Sequence, residues 1–69
     1  MKLSVRNVFK GKVTSITEGM AVATIKADIG GGNSVTSVVT MDAVKDLGLK
    51  VGDEINVLVK ATSVMLAKD

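Results

Sequence analysis

The chain has 69 residues and a formal net charge of +2, and it contains no His, Cys, Pro, Trp or Tyr. The missing His and Cys exclude a structural zinc site, a thiol nucleophile, haem or iron–sulfur ligation and a Ser-His-Asp triad. Phe9 is the only aromatic residue, which excludes a platform of aromatic side chains for stacking nucleic-acid bases.

Apolar and β-branched residues dominate the composition. The chain contains 12 Val, 4 Ile and 6 Thr, a composition that favours strands. A chain of this length buries only about 60% of its unfolded surface, whereas 46% of its residues are hydrophobic. The sequence therefore predicts a homo-oligomer whose interface covers the surplus apolar side chains. Because no signal-peptide core or membrane-length apolar run is present, we expect a cytoplasmic location and no membrane partner.

The beginning of the chain has the pattern of a strand. Residues 3–8 start in strict alternation, which places Ser4 and Arg6 on one face. Gly11 predicts a bulge or a close backbone approach before a continuing strand over residues 12–17.

Two turns then connect the following strands. Glu18-Gly19 predicts a hairpin turn into a strand over residues 20–28. Alternate residues of that strand form one apolar face, namely Ala21, Ala23, Ile25 and Ala27. The Gly-Gly-Gly-Asn run at 30–33 predicts a second turn into a returning strand over residues 34–40. A phosphate-binding loop would need a following Gly-Lys-Ser/Thr and a helix, so the glycine run is interpreted as a hairpin turn.

One short helix and two more strands complete the pattern. Thr40 is a suitable N-cap, Asp42 fits the positive end of the helix dipole, and Gly48 stands just past the end. The helix would bury one stripe of residues, namely Met41, Val44 and Leu47. After a turn over residues 50–53, strands are expected over residues 54–60 and 62–67. The sequence thus predicts an all-β fold, a small OB-like Greek-key barrel of five to six strands with one short helix, forming a single domain over residues 1–69.

Two groups of polar residues are candidates for chemistry. The carboxylate pairs Asp53/Glu54 and Asp42/Asp46 have no nucleophile or metal ligand beside them, so we interpret them as surface charge and predict no enzymatic activity. The other group consists almost entirely of hydrogen-bond donors, namely Ser4, Arg6, Asn7, Thr40, Lys60, Thr62 and Ser63. A deprotonated tetrahedral oxyanion offers only acceptors and suits such a shell. The alternative is that these residues are solvent-facing polar groups.

The same residues resemble the molybdate-binding Mop domain family, the molbindins. Ser-Val-Arg-Asn at 4–7 and Lys-Gly-Lys-Val at 10–13 are similar to the family's opening Ser-Ala-Arg-Asn and Lys-Gly-Lys-Val. The similarity continues in register through Ile-Gly-Gly-Gly-Asn at 29–33, Val-Thr at 39–40, Val-Lys-Asp-Leu-Gly-Leu at 44–49 and Val-Lys-Ala-Thr-Ser-Val-Met at 59–65. It covers residues 2–66, nearly the whole chain.

The resemblance implies a function and a set of oxyanion-binding residues. It implies a homohexamer, a trimer of dimers, that stores or buffers molybdate or tungstate inside the cell in sites between subunits, with no redox cofactor and no direct metal ligand. The oxyanion-binding residues that it implies are Ser4, Arg6, Asn7, Thr40, Lys60, Ala61 and Ser63. Arg6 and Lys60 would supply charge, whereas Asn7 would fix the strand or the arginine. A second class of site would lie near the turn at 18–20 or at 62–63.

Two departures from the family pattern and two rival functions accompany this interpretation. Val5 replaces the common Ala, and Ala43 stands where many members carry Ser, which removes one possible donor. One rival function is a nucleic-acid-binding OB-fold module, which the low net charge and the single aromatic residue disfavour. The other is a purely structural oligomerisation domain. We therefore expect a small inorganic oxyanion and further copies of the chain as partners, and no nucleic acid.

Overall fold

The computed structural model of the protein describes residues 3–69. Its elements in chain order are β1 Asn7–Glu18, β2 Val22–Gly30, β3 Asn33–Thr40, α1 Met41–Leu47, β4 Glu54–Val59 and the 3-10 turn η1 Ala61–Ser63. The strands form one antiparallel sheet in the order β3-β2-β1-β4, so β3 and β4 are its edges. No helix within residues 3–69 has the length and apolar character that crossing a membrane requires.

Strand β1 changes its pairing partner along its length. Up to Lys12 it pairs with β4, and from Lys12 onward it pairs with β2. Gly11 lies at this change, where a Cβ atom would stand 3.0 Å from the backbone oxygen of Asp28. The predicted close approach at Gly11 is therefore confirmed, while the bulge of β1 lies further along, between Val13 and Ser15.

The apolar core lies where the sheet meets α1. The buried side chains are Val13, Ala23, Ile25, Ala27 and Val44. Three members of the predicted face of β2 are thus buried, whereas Ala21 precedes the strand and is exposed. In α1, Val44 is buried and Met41 packs against the core, but Leu47 is 70% exposed. The predicted helical stripe is therefore wrong at its last residue, which projects beyond the small core.

Both predicted hairpin turns are confirmed by their backbone geometry. The Gly19 N–H donates to the Val22 carbonyl at 2.9 Å and closes the β1–β2 turn. Gly31 and Gly32 connect β2 to β3 with φ angles of 62° and 78°. Glycine adopts such left-handed conformations without the steric cost that a Cβ atom imposes, so this run is a turn and not a phosphate-binding loop.

The boundaries of α1 also agree with the sequence pattern. The Thr40 hydroxyl oxygen accepts a hydrogen bond from the Ala43 N–H at 3.1 Å, which is the N-cap bond. Gly48 ends the helix in the left-handed conformation at φ 62°. The turn that follows is closed by the Asp53 carboxylate, which accepts a hydrogen bond from the Lys50 N–H at 2.8 Å.

The predicted strand count is wrong, because the structure has four strands within residues 3–69. The first strand begins at Asn7, and residues 62–67 form the end of η1 and an irregular exposed tail. A strand requires a neighbouring backbone, and the β1–β4 ladder ends at the pair Asn7 and Val59, so neither segment pairs with another strand among residues 3–69. Since β3 and β4 are not paired with each other, one chain does not close a barrel.

Candidate functional site

Six of the seven predicted oxyanion-binding residues lie at one end of the sheet. Antiparallel pairing places the start of β1 beside the end of β4, with Asn7 opposite Val59. The two segments that flank this pair carry the six residues, namely Ser4, Arg6, Asn7, Lys60, Ala61 and Ser63. We call these six residues the donor cluster. Two cations, several hydroxyls and backbone N–H groups thus lie on two segments that are far apart in sequence but end beside each other in the sheet.

Thr40 lies at the opposite end of the sheet from the donor cluster. It ends β3 and pairs with Val22, the first residue of β2. This is the end at which β1 finishes with Glu18 opposite Ala23. Thr40 and the donor cluster therefore lie at opposite ends of the 12-residue strand β1 in the strand register.

The donor cluster is open to solvent in the single chain. Asn7 is half-buried, and its Nδ2 donates to the Val59 carbonyl at 3.1 Å. The other five members are exposed. The charges of Arg6 and Lys60 are therefore solvated, and neither is buried without a partner.

Hydrogen-bond capacity remains at those predicted oxyanion-binding residues that already take part in local structure. The Thr40 oxygen accepts the N-cap bond but keeps its O–H proton, because a hydroxyl has one donor and two acceptor lone pairs. The Ser63 N–H donates to the Lys60 carbonyl at 2.9 Å, which leaves the Ser63 hydroxyl free to act. Ala61 has no polar side-chain atom and can contribute only its backbone, whose N–H stands at the open start of η1.

Two surface cavities lie away from the donor cluster. The first is a basin of about 550 Å³ in which Lys10 and Lys12 lie beside Asp28 and Glu54. The sequence does not predict this basin, because Lys12 lies opposite Asp28 and Glu54 only through the pairing of β1 with β2 and β4. Within residues 3–69, no group of three or more His, Cys, Asp or Glu side chains is placed to hold a metal ion.

The second cavity is an apolar groove of about 210 Å³ between the two edge strands of the sheet. Its walls come from β3, β4 and the segment around α1, and its lining residues are Ile25, Ala27, Val35, Ser37, Val39, Leu47, Leu49, Ile55, Asn56, Val57 and Leu58. We call it the edge groove. It contains none of the predicted oxyanion-binding residues.

Comparisons with known proteins give the family of the chain. The profile of the TOBE domain family matches residues 3–66. A probable molybdenum-pterin-binding protein of Haemophilus influenzae is 53% identical over 66 residues, which cover 96% of both chains. The structure of a molybdate binding protein from Sporomusa ovata superposes with a TM-score of 0.92 at 38% identity, covering 99% of this chain and all of that one.

A longer relative has been solved with its ligand. The cytoplasmic molybdate-binding protein ModG, with molybdate bound, superposes with a TM-score of 0.84 at 43% identity, covering 88% of this chain and 43% of ModG. The matches thus span nearly the whole chain in both sequence and structure. The chain belongs to the TOBE domain family and, within it, to the molbindins, the small Mop proteins.

Proposed function

We propose that this protein binds molybdate or tungstate in sites formed between copies of the chain, and that it serves as an intracellular store or buffer of the oxyanion. The observation that carries the proposal is the division of the predicted donors. Six of them lie at one end of the sheet and Thr40 lies at the other. A complete shell therefore requires the donor cluster of one copy and the Thr40 end of another.

The chemistry of these donors suits a fully deprotonated tetrahedral dianion. Such an ion accepts hydrogen bonds through all of its oxygens and donates none, so each contact must come from a donor on the protein. Arg6 supplies a planar fork of N–H groups and Lys60 a compact charge. The hydroxyls of Ser4, Ser63 and Thr40 complete the set. Binding of this kind is reversible and requires neither a redox cofactor nor a protein ligand to the metal atom.

Apolar surface on the single chain supports assembly. Large hydrophobic side chains are highly exposed, among them Met20 at 103%, Met65 at 92% and Leu66 at 93%. The edge groove exposes further apolar side chains beside strands that have unpaired backbone groups. We assign closure of the OB-like barrel to the assembly, in which the apolar tail of one copy supplies a strand to the edge groove of another. The proposed assembly is a homohexamer, a trimer of dimers.

The remaining parts of the proposal follow from the same chemistry. The chain forms a single Mop domain over residues 1–69 and acts in the cytoplasm, as the relative ModG is described to do. Its role is binding and not catalysis. The relatives are named for binding molybdate or molybdenum-pterin, and the donor cluster contains neither a nucleophile with a neighbouring base nor a carboxylate.

Native mass spectrometry combined with elemental analysis tests this function. The purified protein is stripped of oxyanion and then incubated with molybdate, tungstate or sulfate at micromolar concentration. We expect a hexamer that retains molybdenum or tungsten with no pterin present. A hexamer that retains no oxyanion would favour the structural oligomerisation domain. Salt-dependent binding to single-stranded nucleic acid, without oxyanion binding, would favour the OB-fold module.

A further inference from the structure

A half-buried amide holds together the two strand ends that carry the cations of the donor cluster. Asn7 Nδ2 donates to the Val59 carbonyl at 3.1 Å, and the two residues are 52 positions apart in sequence. Asn7 and Val59 are also the last paired residues of the β1–β4 ladder. The side-chain bond therefore closes this end of the ladder, where the backbone pairing stops.

The residues that flank this bond are the two cations. Arg6 immediately precedes Asn7, and Lys60 immediately follows Val59. β1 begins at this pair, and β4 ends at it and is followed by η1. Strand ends fray when their last bonds are solvent-exposed, so loss of the amide bond would let the two charged ends move apart or together.

We propose that Asn7 is a positioning residue that sets the spacing between Arg6 and Lys60 and thereby the size of the oxyanion that the site prefers. The inference rests on the proposed function. One of the two N–H groups of the Asn7 amide is engaged by the Val59 carbonyl, and we assign its effect on binding to this tie between the strand ends. Two cations held at a fixed separation fit a large tetrahedral oxyanion, whereas loosened ends can close on a smaller one.

The energetic reason is preorganisation. A dianion that binds to frayed ends must first order two backbone segments and two long side chains, and this ordering has an entropic cost. With the Asn7 bond in place, the backbone segments are already ordered when the protein folds, so that part of the entropic cost does not weaken binding. Since sulfate and molybdate have the same charge and the same acceptor chemistry, their discrimination depends on how firmly the donors are held apart.

Asn7→Ala tests the inference, with Asn33→Ala as the matched control. Asn33 is the first residue of β3, is exposed and lines neither cavity. Its side chain has no hydrogen bond to another of residues 3–69. Affinities for molybdate and sulfate are measured by isothermal titration calorimetry on the assembled protein. Hydrogen exchange of the ligand-free protein reports the opening of residues 59–63.

We expect Asn7→Ala to bind molybdate about fivefold to tenfold more weakly, as the loss of one hydrogen bond implies. The ratio of molybdate to sulfate affinity should fall, and exchange at residues 59–63 should accelerate without ligand. Asn33→Ala should match the wild type in all three measurements. If Asn7→Ala does not assemble, Asn7→Ser serves instead, because its hydroxyl is too short to span the same bond.

Two results would overturn the inference. One is an unchanged affinity ratio with unchanged exchange in Asn7→Ala. The other is a parallel loss of both affinities with unchanged exchange, which would make Asn7 a direct donor to the ligand. A wild-type protein that binds none of the oxyanions would instead overturn the proposed function. In that case the exchange measurement alone would test whether the Asn7–Val59 hydrogen bond holds the two strand ends together.

Discussion

Removal of the Arg6 side chain tests whether molybdate affinity depends on the position of this one cation or only on the net charge of the protein. Arg6 is exposed and precedes the first residue of β1. Its truncation therefore leaves no cavity in the core and no buried polar group without a partner. Surface substitutions of this kind change folding free energy by no more than about 0.5 kcal/mol. We expect Arg6→Ala to assemble as the wild type does and to bind molybdate more weakly.

The magnitude follows from the type of bond that is lost. A hydrogen bond to a charged group contributes about 1.5–3 kcal/mol, which corresponds to a loss of roughly 10-fold to 150-fold in affinity. Arg6→Lys keeps the charge but not the planar fork, so its loss should be smaller. The general effect of one unit of net charge is weaker, because salt at 0.15 M screens exposed charges beyond about 8 Å.

Lys10→Ala is the matched control for Arg6→Ala. Lys10 lies on β1, is exposed, and its removal changes the net charge from +2 to +1, as removal of Arg6 does. Isothermal titration calorimetry with molybdate at 0.15 M salt compares the variants, and size-exclusion chromatography confirms their assembly. Wild-type affinity in Arg6→Ala would refute the assignment. An equal loss in Lys10→Ala would show that only net charge matters.

Three further substitutions test the cap, a turn and the core. Thr40→Ala should lower the free energy of unfolding by about 1 kcal/mol and weaken molybdate binding. Thr40→Ser should keep the wild-type stability and affinity. Equal behaviour of the two variants in urea denaturation and calorimetry would contradict this. Gly19→Ala should destabilise the protein by about 1–3 kcal/mol, because its Cβ would stand 2.7 Å from the Val22 carbonyl oxygen; an unchanged midpoint of thermal unfolding would show that the turn adapts. Val13→Ala removes two methyl groups from a side chain that is 1% exposed and should cost about 1–3 kcal/mol. Val51→Ala, at a residue 63% exposed, is its control in urea denaturation and should cost less than about 0.5 kcal/mol.

Local chemistry explains which elements could be predicted from the sequence. The cap at Thr40 and the glycine at 48 set the ends of α1 through bonds within a few residues. The turn through Gly31 and Gly32 depends on φ angles that glycine adopts readily. The buried face of β2 follows from the alternation of side chains along a strand. Each of these features depends on neighbours in sequence, so the pattern predicts it without knowledge of the fold.

The strand predicted over residues 62–67 is not formed, because local pattern is not sufficient for a strand. Its composition suits a strand, but a strand also needs a partner backbone, and none pairs with it among residues 3–69. The exposure of Leu47 has a related cause, since the core of one chain is too small to cover the whole apolar stripe of α1. Both errors concern apolar residues whose burial requires surface that one chain does not supply.

The sequence by itself determined the strand-rich composition, the turns, the helix boundaries and the donor types at Arg6, Thr40 and Lys60. It also carried the motifs that identify the molbindin family. Only the tertiary structure decided that Asn7 and Val59, the neighbours of Arg6 and Lys60, pair with each other and that Thr40 lies at the far end of the sheet. The physical reason is that strand order and register arise from pairing between distant segments. Local propensity determines which segments form strands, whereas pairing between strands determines which donor residues lie at the same end of the sheet.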